Sequence, residues 1–290
     1  MTPNSNHIDL TAIDRQSRAF FSGGTFAWEK SEAEIWANIG AVIDVQPKGR
    51  VLQLNFAAAK WIAAAIVVIF FALGSFIRFY TVGVETPAGQ HLEAFLPDGS
   101  RVNLNAKSSI SYHPYWWKIN REVKLEGEAF FEVQKGKKFT VVSHRGTTQV
   151  LGTSFNIFAR EDVYKVTCIT GTVKVKSSQG FEAIIKPNTR AEVAANGKIN
   201  LLTNIDTFPE ISWKKNIFIF TATPVVAVFN EIERQYDVVI QVQAEEGIRY
   251  SGNFNKDQDV EGILDYVCPA LGLKYVRESH GKYLIIRKNE

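Results

Sequence analysis

The chain runs to 290 residues, 46% hydrophobic and 22% charged, with a net charge of +3. That length holds two modest domains plus accessory pieces, and a small charge without a Lys/Arg block argues against direct nucleic-acid binding. The two cysteines, Cys168 and Cys268, show neither a CxxC nor a Cys/His spacing. They speak against a structural zinc site or a disulfide scaffold and read better as two buried thiols than as a bridge.

Residues 1–59 read as a small helical head. Asp9 can cap a segment whose Leu10, Ile13 and Phe20 fall roughly on one face, and Gly23-Gly24 ends it. Ser31-Glu32-Ala33-Glu34 is a capping-box pattern opening a second helix. That helix carries Ile35, Ile39 and Val42-Ile43 at helical spacing, with Trp36 beside the stripe, before Pro47 and Gly49 stop it. Two short helices bury little by themselves, so their stripes either close on each other or await a partner. The head holds no catalytic or metal-binding set.

Residues 60–79 read as a transmembrane helix. From Trp61 to Ile77 the only polar side chain is Ser75, Lys60 and Arg78 bound the run, and Trp61 and Tyr80 stand where interfacial aromatics belong. About 60 residues precede it, too many for the n-region of a signal peptide. Lys48, Arg50 and Lys60 on one side against Arg78 on the other place the N-terminus in the cytoplasm and the C-terminus outside it.

Residues 80–205 alternate in short strands. Leu96-Pro97-Asp98-Gly99-Ser100 is a turn signal, and Arg101 to Leu104, Val123 to Leu125 and Phe131 to Val133 alternate. Further strands are expected at 139–142, 155–158, 163–168 and 172–176. Even spacing without helices predicts a sandwich, barrel or β-solenoid. Glu126 and Glu128 read as one solvated strand face. His91, His113 and His144 form no metal spacing, and no nucleophile motif occurs. The aromatic run Tyr112 to Trp117 reads as packing or loop cover, with a ligand platform as the alternative.

Four blocks carry a resemblance. Leu96-Pro97-Asp98-Gly99-Ser100-Arg101-Val102-Asn103-Leu104-Asn105 resembles the opening signature of the FecR family of transmembrane anti-sigma factors. Residues 121–133, containing Gly127 and Glu128, resemble its second block, Val150 to Ile157 its third and Gly171 to Val175 its fourth. Gly99, Gly127, Gly152 and Gly171 fall at strand boundaries, where a tight turn or close approach excludes a Cβ. The family's late Pro-Gly turn is Pro187-Asn188 here, and Asn tolerates the left-handed conformation.

Residues 200–210 read as a polar linker, and 210–290 as a small α+β domain of order β-α-β-β-α-β-β. Thr223-Pro224 is expected to open a helix with Val225, Val228-Phe229, Ile232 and Tyr236 on one face. A second helix carries Val260, Ile263-Leu264, Val267-Cys268 and Leu271. The domain is similar to the short signalling module of secretins and TonB-dependent transporters.

The fold class expected is therefore mainly β with α+β parts: a helical head, one membrane helix, an antiparallel solenoid- or sandwich-like domain, and the small terminal domain. The resemblance implies a non-enzymatic, cofactor-free anti-sigma factor of the inner membrane. Its head would hold an extracytoplasmic-function sigma factor, with Ile35, Trp36, Ile39 and Val42 as candidate contacts. Its envelope part would sense the signalling domain of a TonB-dependent outer-membrane transducer. The rival is a membrane-anchored envelope binding or structural protein without a sigma partner. Some family members cut themselves between a Gly and a Thr, which points to Gly152-Thr153; the alternative is a strand-entry turn needing glycine only for its backbone.

Overall fold

The computed structural model describes residues 29–43, 56–243 and 247–288. The chain divides into two compact units, residues 1–63 and 64–290. The first expected head helix, around residues 9–22, lies outside the described residues.

In the first unit, helix α1 (Glu32–Ile43) opens on the expected capping box. The Ser31 amide donates to Glu34 Oε2 at 3.1 Å and the Glu34 amide to Ser31 Oγ at 3.3 Å. Two orphan amides of the first turn are thereby satisfied reciprocally. Helix α2 (Phe56–Phe79) contains the 21-residue apolar stretch Ala59–Phe79, which is not buried against protein. At 1.5 Å per residue it reaches about 30 Å, the thickness of a hydrocarbon core. Among the described residues it is the one helix long and apolar enough to cross a membrane, which fits a single-pass membrane protein.

Thirteen strands follow: β1 (Val82–Thr86), β2 (Leu92–Phe95), β3 (Arg101–Leu104), β4 (Ser108–Tyr112), β5 (Arg121–Glu132), β6 (Phe139–Ser143), β7 (Gly146–Val150), β8 (Ser154–Arg160), β9 (Val163–Thr170), β10 (Val173–Ser177), β11 (Glu182–Ile185), β12 (Thr189–Val193) and β13 (Ile199–Thr203). One sheet runs β1-β4-β5-β6-β7-β10-β11, the other β2-β3-β5-β8-β9-β12-β13. The long strand β5 belongs to both. Its residues 121–126 pair with β4 and, in parallel, β6; its residues 127–132 pair with β3 and β8.

Gly127 makes that transfer possible. Its φ is +96°, and a Cβ there would meet Ser108 Cα at 2.8 Å. Between the sheets lie Leu104, Ile110, Leu125, Phe131, Phe139 and Phe155, all nearly inaccessible. Phe131 and Phe155 stack at 5.1 Å, and a buried hydrogen bond of 2.7 Å joins Thr148 on one sheet to Tyr164 on the other. The sandwich option is the one realised. Asn188 takes φ +61°, in place of the family's glycine.

Beyond β13, helix α3 (Phe208–Ile211) and a 3-10 turn (Ser212–Lys215) lead into β14 (Ile217–Pro224), α4 (Val225–Tyr236), β15 (Val239–Val242), β16 (Arg249–Asn255), α5 (Val260–Ala270), β17 (Leu273–Ser279) and β18 (Lys282–Arg287). The expected order holds. Two local expectations do not. Residues 200–203 are an edge strand rather than linker, because β13 pairs along β12. Thr223 lies within β14, and Pro224, the last residue of that strand with ψ 134°, is the N-cap rather than the first helical residue. The strands form an antiparallel pair, β14-β16, and a mixed sheet, β15-β18-β17. Val228, Phe229, Ile232, Ile263, Leu264 and Val267 fill their core. Cys168 and Cys268 are free and buried in separate cores.

Candidate functional site

The head stripe comes first in the chain. Trp36, Ile39 and Val42 are 66%, 41% and 75% exposed, while Ile35 is half-buried. A capped helix showing a tryptophan and two branched residues to solvent presents anchors of the kind that carry binding energy.

The signature residues act differently. Asp98 Oδ1 accepts the Ser100 amide at 3.0 Å, closing the turn that Gly99 bends with φ +80°. Its other oxygen accepts from Arg121 Nε at 2.8 Å and also from Nη2. Arg121 then donates to the carbonyls of Lys137 and Gln134, and Ser100 Oγ accepts the Gln134 amide at 3.0 Å. Asp98 and Ser100 therefore fasten three loops around a largely buried ion pair. They are structural.

Glu128 departs from expectation: it is 6% exposed, not solvated. The alternation that put it beside Glu126 breaks at Gly127, where β5 changes sheets. Glu128 then points from the second sheet's outer face toward the C-terminal module. Asn105 Nδ2 donates to its Oε2 and Asn156 Nδ2 to its Oε1, both at 2.8 Å. Gln235 of α4 donates to Asn105 Oδ1 at 2.7 Å and to Glu231 Oε1 at 2.8 Å. Arg234 donates to Glu231 Oε2 at 2.8 Å, and His91 Nε2 lies 3.1 Å from Gln235 Oε1. Burial and the Glu231 charge raise the Glu128 carboxyl to about 7. Burial works on Glu231 in the same sense, but Arg234 and Arg160 outweigh it and lower that group. The pair thus shares its charge unequally, Glu231 ionised and Glu128 disposed to hold a proton.

This polar lock forms the inner wall of a cleft of about 650 Å³ between sandwich and module. Residues Ile217 to Thr221 of β14 also line it, as do Glu161, Arg190 and Glu210. Phe130, also on the sandwich's outer face, belongs to the module's core, and the Lys214 ammonium lies 3.7 Å from its ring centre. The sequence carried a signal for the lock: Asn105, Glu128 and Asn156 stand in the first, second and third signature blocks. Distant in the chain, those blocks converge on one carboxylate.

Gly152 needs to be glycine, since a Cβ would sit 2.8 Å from Lys135 Cα. The neighbouring Thr153 is buried, with no partner for its hydroxyl. His144 does not approach it. Its Nε2 lies 2.7 Å from the Glu161 carbonyl, at the opposite end of the β6–β7 hairpin. Among the described residues no three His, Cys, Asp or Glu side chains gather into a metal site.

Residues 83–174 match the family model described as FecR protein, and residues 217–286 the model described as FecR, C-terminal. Together the two matches take in more than half of the chain. Two crystal structures of a candidate anti-sigma factor from Parabacteroides distasonis ATCC 8503, at 2.50 and 1.65 Å resolution, are similar over 72% and 71% of this chain and 99% of theirs. Each shares 26% identity with it and superposes with a TM-score of 0.66. No functionally curated protein matches the chain.

Proposed function

The chain belongs to the FecR family of anti-sigma factors, and from that premise we propose that it joins an extracytoplasmic-function sigma factor in the cytoplasm to a TonB-dependent transducer in the outer membrane. The head lies in the cytoplasm, α2 crosses the inner membrane, and the sandwich and module occupy the periplasm. The head holds the sigma factor until the transducer engages the periplasmic unit.

The observation that carries this reading is the solvent-exposed stripe of α1. Burying Trp36, Ile39 and Val42 in a partner would recover apolar area that the helix leaves open, on the order of 25 cal/mol per Å². Lys48, Arg50 and Lys60 ahead of the span support the orientation. The short-range lock between sandwich and module supports a periplasmic unit that responds as one body to a partner.

The test is binding of the full chain, in detergent, to the sigma factor recovered with it from cells. Truncating an interface anchor commonly costs ~2 kcal/mol or more, about a thirtyfold loss of affinity. Trp36→Ala and Ile39→Ala should each weaken the complex to that degree. Unchanged affinity in both would assign the stripe to internal packing and remove the basis for the proposal.

A further inference from the structure

The loop between β4 and β5 carries chemistry that the anti-sigma role does not use. It follows the last strand residue Tyr112 and reads His113-Pro114-Tyr115-Trp116-Trp117-Lys118-Ile119-Asn120. Trp117 turns inward, 4% exposed, and packs edge-on against Tyr112 and Phe139. Rooted by that ring, the tip points the other way: Tyr115 is 59% exposed and Ile119 68%.

The tip meets the end of the membrane helix. The Tyr115 ring lies 5.4 Å from that of Tyr80 and 6.3 Å from that of Phe76. The Arg78 guanidinium sits 5.2 Å from the Trp116 ring centre, and His113 Nδ1 lies 3.0 Å from the Tyr80 carbonyl. Phe76 is inside the apolar stretch that ends at Phe79, about 4–5 Å back along the helix axis. Tyr115 is therefore level with the last turn of the span. A ring at that depth beside a membrane-spanning helix lies in the boundary between headgroups and acyl chains. Tyrosine and tryptophan, apolar in body and polar at the tip, prefer that place.

The surrounding charge agrees. Lys118 on the tip and Lys135, Lys137 and Lys138 on the β5–β6 loop are all exposed. The two loops meet at the same end of the sandwich, where Arg121 at the start of β5 donates to the Lys137 carbonyl. An aromatic and aliphatic tip with a rim of lysines fits a bilayer containing anionic lipid.

We infer that the 113–120 loop is a second membrane contact, inserting Tyr115 and Ile119 into the outer interface and holding the sandwich at a fixed angle to α2. The contact rests on α2 spanning the bilayer and not on the identity of any protein partner. It converts a tethered domain into an oriented one. The span then moves with the sandwich rather than swivelling beneath it.

The experiment uses the full chain with Ile119→Cys, labelled with an environment-sensitive fluorophore and reconstituted into vesicles of phosphatidylcholine and phosphatidylglycerol. Both native cysteines are buried, so labelling is selective. A control label at Ala195→Cys lies on the exposed β12–β13 turn, close to the Arg145 side chain at the far end of the sandwich. The label at 119 should emit to the blue of the control and be quenched by lipids carrying a nitroxide near the headgroup, while the control is not. Tyr115→Ser should reduce that quenching, and replacing phosphatidylglycerol with phosphatidylcholine should weaken it. Equal, unquenched labels at both positions would overturn the inference. So would a blue shift at 119 that grows with protein density and ignores lipid quenchers, which would make the tip a contact between copies of the chain.

Discussion

A carboxyl group held near neutrality at an interdomain contact makes stability depend on pH. Glu128 is raised to about 7 by burial and by the Glu231 charge, against an unfolded value of about 4.3. The folded state therefore holds this proton more tightly than the unfolded chain. The stability so gained is full below the unfolded value and is lost as pH rises through about 7. The whole effect is on the order of 3 kcal/mol. Glu128→Gln removes the titration, and turning the Asn156 amide, whose Oδ1 has no partner, gives the new amide an acceptor. Melting curves of the full chain should show wild type and variant close at pH 5, with the variant higher by about 5–10 °C at pH 8.5. A constant gap at both pH values would place the proton elsewhere. Gly152 and Thr153 lead to a chemical prediction. A buried hydroxyl without a partner costs about 1–3 kcal/mol, and such groups often mark a chemical use. If the chain shares the self-cleavage that the family resemblance implies, Thr153 Oγ would add to the Gly152 carbonyl carbon. The C–N bond then breaks, the hydroxyl proton passes to the departing amine, and water opens the ester to a Gly152 carboxylate and a new Thr153 terminus. Mass spectrometry of the purified chain should find cleavage after Gly152, lost in Thr153→Ala and partly kept in Thr153→Ser. A chain intact after days retires the reaction.

Strand β14 pairs only with β16 among the described strands. Residues Ile217 to Thr221 of this strand line the cleft. An unpaired edge beside a cleft accepts an added strand through backbone hydrogen bonds. A transducer's signalling module that docks by such a strand should lose affinity when Ile219→Pro removes an edge amide, and tolerate Thr221→Ser. Unchanged binding of the proline variant would move the docking site off this edge. The same elements show what could be read from the chain alone. The capped α1, the apolar α2 and the two amphipathic helices were legible because each rule is local: capping box, run length, 3.6-residue period. Pro187-Asn188 was legible because a left-handed position has few tenants. Glu128 was misread because strand alternation assumes one continuous sheet, and β5 changes sheets at Gly127. The warning lay in Ala129-Phe130-Phe131, a run buried on both faces rather than alternating. Phe130 could be assigned to the second core only once the module was known to cover that face. That is a tertiary fact with no local period.

At the scale of the whole molecule, the chain joins one bare apolar helix to a unit in which sandwich and module share a polar lock and a common aromatic. Such a unit transmits a partner's approach only if it stands on the opposite side of the bilayer from the head. Orientation is therefore the premise on which every other part depends. Lys48, Arg50 and Lys60 precede the span and only Arg78 follows it closely, a bias that supports the proposed cytoplasmic placement of the N-terminal side. The buried thiols are compatible with an oxidising envelope, since neither Cys168 nor Cys268 offers an exposed sulfur to a partner. Burial pushes the Cys168 thiol up to about 11 and the Cys268 thiol up to about 12, which keeps both out of the reactive thiolate form. Reporters fused to the two ends of the full chain decide the matter. A phosphatase active only outside the cytoplasm should be silent at the N-terminus and active after residue 290, and a cytoplasm-dependent fluorescent protein should give the reverse. Replacing Lys48, Arg50 and Lys60 together with Gln removes the bias and should yield a mixed population. Phosphatase activity at the N-terminus of the unmodified chain would place the head outside the cell's transcription machinery and leave the α1 stripe without a sigma factor to bind.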